Sequence, residues 1–200
     1  MLILASQSAA RNALLAGAGL RFEARPAKID ERALEAEALG KGADAAAIAE
    51  TLAVAKARAV SSEHRGAWVI GADQTLACGD VLFHKPANRA DAAEQLARLA
   101  GRSHTLNAAI ALIRDGERLW SHVERAELTM RMTDAAEREA VLDLEGEAAL
   151  GSVGAYRLEG PSIRLFERVE GDYFTILGLP LLPLLAALRR LAPELLDTTS

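Results

Sequence analysis

The chain has 200 residues, a length that suits one domain or one domain in two lobes. Half of the residues are hydrophobic and 26% are charged, which is typical of a globular protein and excludes a disordered chain. The formal net charge of −5 argues against a protein that holds nucleic acid polymers or anionic membranes by general charge attraction. Cys78 is the single cysteine, so an internal disulfide and a cysteine-based zinc cluster are excluded.

No segment resembles a signal peptide, and the longest apolar run, 176–188, has thirteen residues and contains Gly178, Pro180 and Pro183. A membrane span needs about 20 residues. We therefore expect a cytoplasmic protein without a membrane partner, with Cys78 as a buried small side chain.

The first strand is predicted over Leu2–Ala5, and it leads into a short helix that ends at Gly17. Ser6 and Ser8 are candidate N-caps of that helix. A strand that leads into a helix N-terminus can bind an anion, and Arg11 could add a bidentate contact to phosphate. The alternative is an ordinary capped helix with an exposed arginine.

The region between the first and second helical segments contains a predicted strand over Arg21–Arg25 and the acidic pair Asp30 and Glu31. These acids are either solvated or ligands of a divalent metal. Asp44 is predicted to cap a helix that runs to about Ser61. On this helix Lys56 continues a stripe in which apolar residues recur every four positions: Ile48, Leu52 and Val60. Lys56 either extends to the surface or points into a cleft.

The central stretch begins with the apolar run Trp68–Ile70, which predicts a buried strand that ends at Gly71. Asp73 would then lie at the carboxyl end of the strand, where ligands bind in α/β proteins. The alternative is that Asp73 caps the following turn.

The second half of the chain contains predicted helices over Arg89–Ala100, from Thr133 to about Leu144, and from Pro183 to Leu191. Asp115-Gly116 predicts a tight turn between strands Thr105–Arg114 and Glu117–Met132. A second hairpin is predicted from Ile163–Val169 and Tyr173–Leu177, and the acidic residues before Ala149 are predicted to be exposed. Gly151, Gly154 and Gly160 lack the spacing of a dinucleotide-binding loop, so they indicate turns or close backbone approach to a ligand.

Four separated stretches together resemble the Maf family of nucleoside triphosphate pyrophosphatases. They are Leu4-Ala-Ser-Gln-Ser8 with Arg11, Ala55-Lys-Ala57, Gly71-Ala-Asp73 with Lys85-Pro86, and Gly154-Ala-Tyr156 through Gly171-Asp-Tyr173 to Gly178-Leu-Pro180. Any one of these motifs is weak evidence for the family, but all of them occur in the family's order and at its spacing.

The resemblance implies an α/β fold like that of inosine triphosphate pyrophosphatases, with a mixed curved sheet flanked by helices and two lobes around a deep cleft. It implies one domain over residues 1–192, after which we expect a frayed tail over 193–200. The implied reaction is hydrolysis of a nucleoside triphosphate to the monophosphate and pyrophosphate, with Mg²⁺ or Mn²⁺ and in a homodimer. A nucleotide-binding regulator of cell division with little catalysis is the alternative.

The resemblance also assigns roles to residues of this chain. Ser6, Ser8 and Arg11 match the phosphate-binding start of the pattern, Lys56 and Lys85 match its two lysines, and Asp73 matches its proposed general base. Glu31 matches the loop carboxylate, so Glu31 and Asp73 are the candidate metal ligands. Whether Asp73 acts as base or as ligand stays open.

Three positions bear on the choice of base, and they depart from the pattern of the dTTP- and UTP-preferring members. The chain has Ala10, Gln74 and Glu159 where that pattern has arginine, threonine and glutamine. Gln74 and Glu159 resemble the branch that prefers 7-methyl-GTP, whereas Ala10 matches neither pattern. The candidate substrates are therefore 7-methyl-GTP, UTP, dTTP and CTP.

A phosphatase of the haloacid dehalogenase type is a rival interpretation of Asp73 after a strand. Those enzymes place a second aspartate two residues after the nucleophile, and this chain has Thr75 there. The rival interpretation therefore lacks its general acid.

Overall fold

The computed structural model describes residues 1–196 as a mixed α/β protein. The strands are β1 (Leu2–Leu4), β2 (Glu23–Ala24), β3 (Trp68–Cys78), β4 (Val81–Phe83), β5 (Ser103–Arg114), β6 (Glu117–Met130) and β7 (Phe166–Glu170). The helices are α1 (Ala9–Gly17), α2 (Glu31–Gly40), α3 (Ala45–Glu63), α4 (Arg89–Leu99), α5 (Ala135–Glu145), α6 (Tyr173–Ile176) and α7 (Leu181–Leu191). Short 3₁₀ turns lie at Gly146–Gly151, Val153–Ala155, Pro161–Leu165 and Pro193–Leu195.

The seven strands form one open sheet in the order β2-β1-β3-β5-β6-β7, and β4 pairs with β3. Strand β1 pairs in parallel with both β2 and β3, whereas β3–β4 and β6–β7 are antiparallel. The predicted α/β class with a mixed sheet flanked by helices is confirmed.

The chain divides into two compact units, and the division falls within β3, β5 and β6. Unit 1 contains residues 1–74, 108–124 and the described residues from 178 onward; unit 2 contains 75–107 and 125–177. The single domain over 1–192 with a deep cleft between two lobes stays a prediction.

Unit 1 is built around helix α3, which packs its small side chains against the sheet. Ala57 and Val60 share a buried cluster with Ile3 of β1 and Val69 of β3. As predicted, Asp44 caps this helix, and its carboxylate accepts a hydrogen bond of 2.8 Å from the Ala47 N–H. The helix therefore lies where its side chains can reach β3.

Unit 2 has its own buried core, which α4, α5 and strand residues of β3, β5 and β6 form. Its members include Leu76, Leu96, Leu106, Leu128 and Tyr156. Cys78 is a buried free cysteine in this core, as predicted.

Two strand predictions are wrong for identifiable reasons. Strand β3 continues through Gly71 to Cys78, so Asp73 lies inside the strand and not at its end. The predicted hairpin over 163–177 is absent, because Asp172 caps the short helix α6 and its carboxylate accepts a hydrogen bond from the Thr175 N–H. Strand β7 pairs instead with the distant strand β6.

The remaining differences lie near the helix ends. The acidic stretch that ends at Ala149 was predicted to be exposed, and residues 146–148 are exposed, but Glu145 and Ala149 are buried. Asp134, and not Thr133, caps α5. The predicted frayed tail begins with the 3₁₀ turn Pro193–Leu195, and its last part, 197–200, lies outside the described residues.

Helices α1 to α7, taken over residues 1–196, include none with the length and apolar character that a membrane crossing requires.

Candidate active site

Lys56 of helix α3 lies between two carboxylates within unit 1. Its Nζ is 2.5 Å from Oδ1 of Asp73 and 2.9 Å from Oε2 of Glu31, and only 12% of its side chain is exposed. Of the two alternatives for this lysine, the structure selects the inward one. The apolar stripe on α3 therefore positions a cation next to a strand carboxylate.

Asp73 is buried in the middle of β3, with 10% of its side chain exposed. Burial raises the pKa of Asp73, and the opposing charges of Lys56 and Arg11 only partly offset this effect. The carboxylate is therefore a stronger proton acceptor than an ordinary aspartate. A buried acid with a raised pKa beside two cations is typical of a catalytic site.

Arg11 of helix α1 connects three segments of unit 1. Its Nε donates a hydrogen bond of 2.8 Å to the carbonyl of Gly178, and its Nη1 donates to the carbonyl of Ala72 at 2.9 Å and to Oγ of Ser6 at 3.2 Å. Burial lowers the pKa of Arg11, whereas the nearby carboxylates of Asp73 and Glu31 act in the opposite direction. The guanidinium thus contributes positive charge near Asp73 while it holds the backbone on both sides of the site.

The two serines of the first loop lie at the start of helix α1. Ser8 is the N-cap, and its Oγ accepts a hydrogen bond of 3.4 Å from the Arg11 N–H. Ser6 is buried, and its Oγ accepts from the Ser8 N–H at 3.2 Å. The capping prediction for Ser8 is confirmed, and the phosphate-binding roles of Ser6, Ser8 and Arg11 stay predictions.

Gly178 belongs to one of the motifs quoted above, but sequence reasoning assigned it no role in the site. Its φ of +87° is in the left-handed region that favours glycine. A side chain there would begin 3.3 Å from Nη2 of Arg11 and 3.5 Å from Oε1 of Gln74. Gly178 therefore leaves room for the arginine and places Gln74 beside it.

Gly71 was interpreted as the end of a strand, and its actual role was missed because that role depends on packing that the local sequence does not report. A Cβ at this position would lie 2.0 Å from the carbonyl oxygen of Ala53 and 2.9 Å from the backbone nitrogen of Ala57. Helix α3 thus passes directly over the backbone of β3. This close approach is what brings Lys56 to Asp73, two residues after Gly71.

The structure brings together seven of the nine predicted site residues within unit 1: Ser6, Ser8, Arg11, Glu31, Lys56, Asp73 and Gln74. The other two, Lys85 and Glu159, belong to unit 2. Lys85 is an exposed residue that follows β4. The catalytic role of Lys85 and the binding role of Glu159 stay predictions.

Within unit 2, the segment that carries Glu159 is held by a buried carboxylate. Oε2 of Glu145 accepts a hydrogen bond of 2.8 Å from Nε of Arg157, and Nη1 of Arg157 is 4.0 Å from Oε1 of Glu159. Oε1 of Glu145 accepts from both the N–H and the hydroxyl of Ser162, at 2.9 and 2.7 Å. This buried acid, the last residue of α5, was missed because the predicted helix ended at about Leu144 and the acidic stretch after it predicts exposure.

The model of the Maf-like protein family matches residues 1–191 of this chain. The chain belongs to the Maf family. It is 53% identical over 189 residues to a 7-methyl-GTP pyrophosphatase of Brucella abortus, which covers 94% of this chain and 95% of the relative. It is 55% identical over 190 residues to a 7-methyl-GTP pyrophosphatase of Rhizobium etli, with 95% and 96% covered.

A third relative, from Bradyrhizobium diazoefficiens, is described as a nucleoside triphosphate pyrophosphatase. The identity is 57% over 188 residues, which cover 94% of this chain and 92% of the relative. All three relatives have names that describe enzymes. The resemblance that the separated motifs predicted is thus confirmed.

Proposed function

We propose that this Maf family member hydrolyses a nucleoside triphosphate to the nucleoside monophosphate and pyrophosphate. The observation that carries the proposal is the contact of Lys56 with Asp73 and Glu31 beside Arg11, in a chain more than half identical to proteins named as pyrophosphatases of this kind. The enzymatic interpretation therefore stands over the regulator without catalysis.

Attack of water on the α-phosphorus must proceed through the negative charge of the phosphate oxygens. Lys56 and Arg11 are local cations in an acidic chain, and such charges stabilise a transition state in which charge builds on the leaving pyrophosphate. We assign Lys85 the same task. The raised pKa of Asp73 suits a group that accepts a proton from the attacking water.

The carboxylates of Glu31 and Asp73 have the chemistry that a divalent metal requires. Mg²⁺ and Mn²⁺ prefer oxygen ligands, and Mg²⁺ is held by one or two carboxylates together with substrate phosphates and water. Over residues 1–196 there is no cluster of three or more acidic, histidine or cysteine ligands, so a metal held by protein groups alone does not fit. A metal that arrives with the triphosphate does fit, and Glu31 and Asp73 would hold it. Such an ion neutralises phosphate charge and lowers the pKa of bound water.

The preferred base is proposed from Gln74 and Glu159, with 7-methyl-GTP as the first candidate. A carboxylate can accept hydrogen bonds from N1–H and the 2-amino group of guanine, and it attracts the positive charge of the methylated base. Relatives from Brucella and Rhizobium are named for that substrate. Ala10 matches the pattern of neither branch, so UTP, dTTP and CTP remain candidates.

A panel assay tests the reaction and the preference together. The protein is incubated with 7-methyl-GTP, UTP, dTTP and CTP, each with Mg²⁺, with Mn²⁺ and with a chelator, and both monophosphate and pyrophosphate are measured. We expect equimolar release of the two products, fastest with 7-methyl-GTP, and loss of release with the chelator. Release of orthophosphate in place of pyrophosphate, or binding without release for all four substrates, would contradict the proposal.

A further inference from the structure

Lys85 lies in the short connection between strand β4, which ends at Phe83, and helix α4, which begins at Arg89. Pro86 follows the lysine and restricts its backbone to extended conformations. The connection contains no helix or strand of its own. Contacts with neighbouring elements must therefore hold the backbone of Lys85 in place.

One face of helix α4 holds this connection at three points within unit 2. Each point pairs a side chain of the helix with a residue of β4 or of the connection: Asp91 with Ala87, Gln95 with His84, and Arg98 with Phe83. Side chains three and four positions apart share a helix face, so α4 reaches the chain on both sides of Lys85. The contact from Gln95 is made to the residue directly before the lysine.

The hydrogen bond from Gln95 acts on the peptide group that joins His84 to Lys85. Nε2 of Gln95 donates it to the carbonyl oxygen of His84 at 3.0 Å. That oxygen lies in one rigid plane with the nitrogen and Cα of Lys85, because a peptide group is planar. The hydrogen bond on one side and Pro86 on the other thus fix the direction in which the lysine side chain leaves the backbone.

Gln95 is an unfavourable residue for this position if stability alone is considered. It lies on the apolar face of α4, between the buried residues Ala92 and Leu99. Its Oε1 is buried and makes no hydrogen bond with any group in residues 1–196. A reversed amide would place this oxygen against the His84 carbonyl, so the orientation is fixed.

A buried oxygen without a hydrogen bond destabilises the folded state, and an apolar side chain at position 95 would avoid that penalty. Residues that break a packing rule in this way are expected at functional sites. The hydrogen bond to His84 is the interaction that Gln95 makes in return, which indicates that the position of the lysine matters more than the stability of α4.

We propose that Gln95 is a positioning residue for pyrophosphate release, because it holds Lys85 where its ammonium group stabilises charge on the leaving group. The proposal rests on the proposed function, which assigns that task to Lys85. Gln95 acts through the His84 carbonyl and not by contact with the substrate. A displacement of about 1 Å in a catalytic group can lower the rate by up to about 10²-fold.

A double-mutant cycle between Gln95 and Lys85 tests the proposal in the full chain. Q95M removes the donor and keeps an unbranched side chain, and K85M removes the ammonium group. The values of kcat and KM for pyrophosphate release are measured for the native chain, Q95M, K85M and Q95M/K85M, with the best substrate of the panel. Q95E, which keeps the shape but lacks the donor, is a second variant. A97M is the matched control, at an exposed position of the same helix.

We expect Q95M and Q95E to lower kcat about tenfold and to change KM by less than about twofold, because Lys85 acts on the transition state. In the K85M background Q95M should change kcat by less than about twofold, since no ammonium group remains to be positioned. A97M should have native kinetics. The midpoint of thermal unfolding of Q95M should equal or exceed the native value, because the buried oxygen without a partner is removed.

Hydrogen–deuterium exchange of segment 84–88 gives a readout that does not depend on activity. We expect this segment to exchange about tenfold faster in Q95M than in the native chain, and at the native rate in A97M. Unchanged exchange in Q95M would overturn the positioning role, as would an equal loss of kcat with Lys85 present and absent. A native chain that releases no pyrophosphate, or full turnover in K85M, would instead overturn the proposed function of the site and of Lys85, and the role of Gln95 with it.

Discussion

Asp73 in unit 1 and Glu145 in unit 2 are both buried carboxylates beside a cation, yet their pKa values shift in opposite directions. For both groups burial is the largest single cause, and it raises the pKa. Around Glu145, the N–H and hydroxyl of Ser162 and the guanidinium of Arg157 together outweigh burial, so the pKa of Glu145 lies below its usual value. Around Asp73 the charges of Lys56 and Arg11 do not outweigh it, and the pKa remains raised.

The difference separates a structural acid from a reactive one. A carboxylate whose oxygens are held by several donors is stabilised in its charged form and resists protonation. A buried carboxylate with fewer donors around it is stabilised when it takes up a proton or binds a further cation. Asp73 therefore fits proton transfer or metal binding, whereas Glu145 fits the task of holding the segment that contains Arg157.

Replacement of Asp73 by asparagine should have the largest effect on activity. We expect D73N to lower turnover by about 10²–10⁴-fold, the usual contribution of a positioned general base. D80N, at an exposed position after β3, is the control and should leave turnover unchanged. Steady-state release of pyrophosphate measures both, and turnover of D73N within about twofold of the native value would remove Asp73 from the mechanism.

The D73N substitution should not lower the stability of the protein, although it lowers the activity. Because the folded-state pKa of Asp73 is raised, its favourable contribution to stability exists below the unfolded pKa and is lost as the pH rises through the folded pKa. At neutral pH the ionised group is therefore a cost to the folded state. We expect D73N to unfold in urea at pH 7.5 with a free energy equal to or above that of the native chain, and a clear decrease would contradict this account.

Lys56 supplies the charge that most opposes the raised pKa of Asp73. We expect K56M to raise that pKa further, so that the acidic limb of the pH–rate profile moves to higher pH and turnover at pH 7 falls by about 10²-fold. K41M, which removes an exposed lysine of the turn after α2, should change neither the acidic limb nor turnover at pH 7. An unchanged acidic limb in K56M would show that this limb does not arise from the ionisation of Asp73.

The contrast between the two acids was only partly predictable from the sequence. The stripe on α3 indicated that Lys56 lies on an apolar face, but periodicity along a helix does not reveal what lies opposite it. Helix α3 approaches β3 closely at Gly71, and this contact places Asp73 beside Lys56. From the local sequence alone, such a glycine predicts the end of a strand. The order of the motifs therefore assigned candidate site residues that no local rule could place in the fold.

Local signals succeeded where the determining interactions are local. The turn Asp115-Gly116 was predictable because both residues tolerate positive φ, and the Asp44 cap because its hydrogen bond is three residues away. The predicted pairing of strand β7 was wrong because β7 pairs with β6, about forty residues earlier in the chain. The burial of Glu145 was not predicted for a similar reason, because its partners Arg157 and Ser162 come later in the chain.

Replacement of Glu145 should affect stability rather than the chemical step. We expect E145Q to lower the free energy of unfolding at pH 7 by about 1–3 kcal/mol, because charged hydrogen bonds to Ser162 and Arg157 are lost inside the protein. The lowered pKa means that this contribution exists above the unfolded pKa and is lost as the pH falls through the folded pKa. Urea unfolding at pH 7 and near pH 3 should thus show a deficit that shrinks in acid.

The exposed neighbour Glu147 gives the control, because E147Q removes the same charge without a buried hydrogen bond. A deficit of equal size in both variants, or one that persists unchanged in acid, would show that the Glu145 hydrogen bonds are not the cause.

The smallest effect is expected at Glu159, where the comparison of the two units bears on substrate choice. Glu145 holds Arg157, and Arg157 lies 4.0 Å from Glu159, so the structural acid fixes the segment from which Glu159 would reach the base. E159Q keeps the shape of the side chain but removes the charge that would favour a cationic methylated guanine. We expect kcat/KM for 7-methyl-GTP to fall about tenfold relative to UTP, as for the loss of one charged hydrogen bond.

Because Arg157 and Glu145 remain in place in E159Q, stability should be unchanged. The ratio of the two kcat/KM values is measured by competition between the two substrates. An unaltered ratio would exclude Glu159 from base selection and would leave Gln74, beside Gly178 in unit 1, as the residue to replace next.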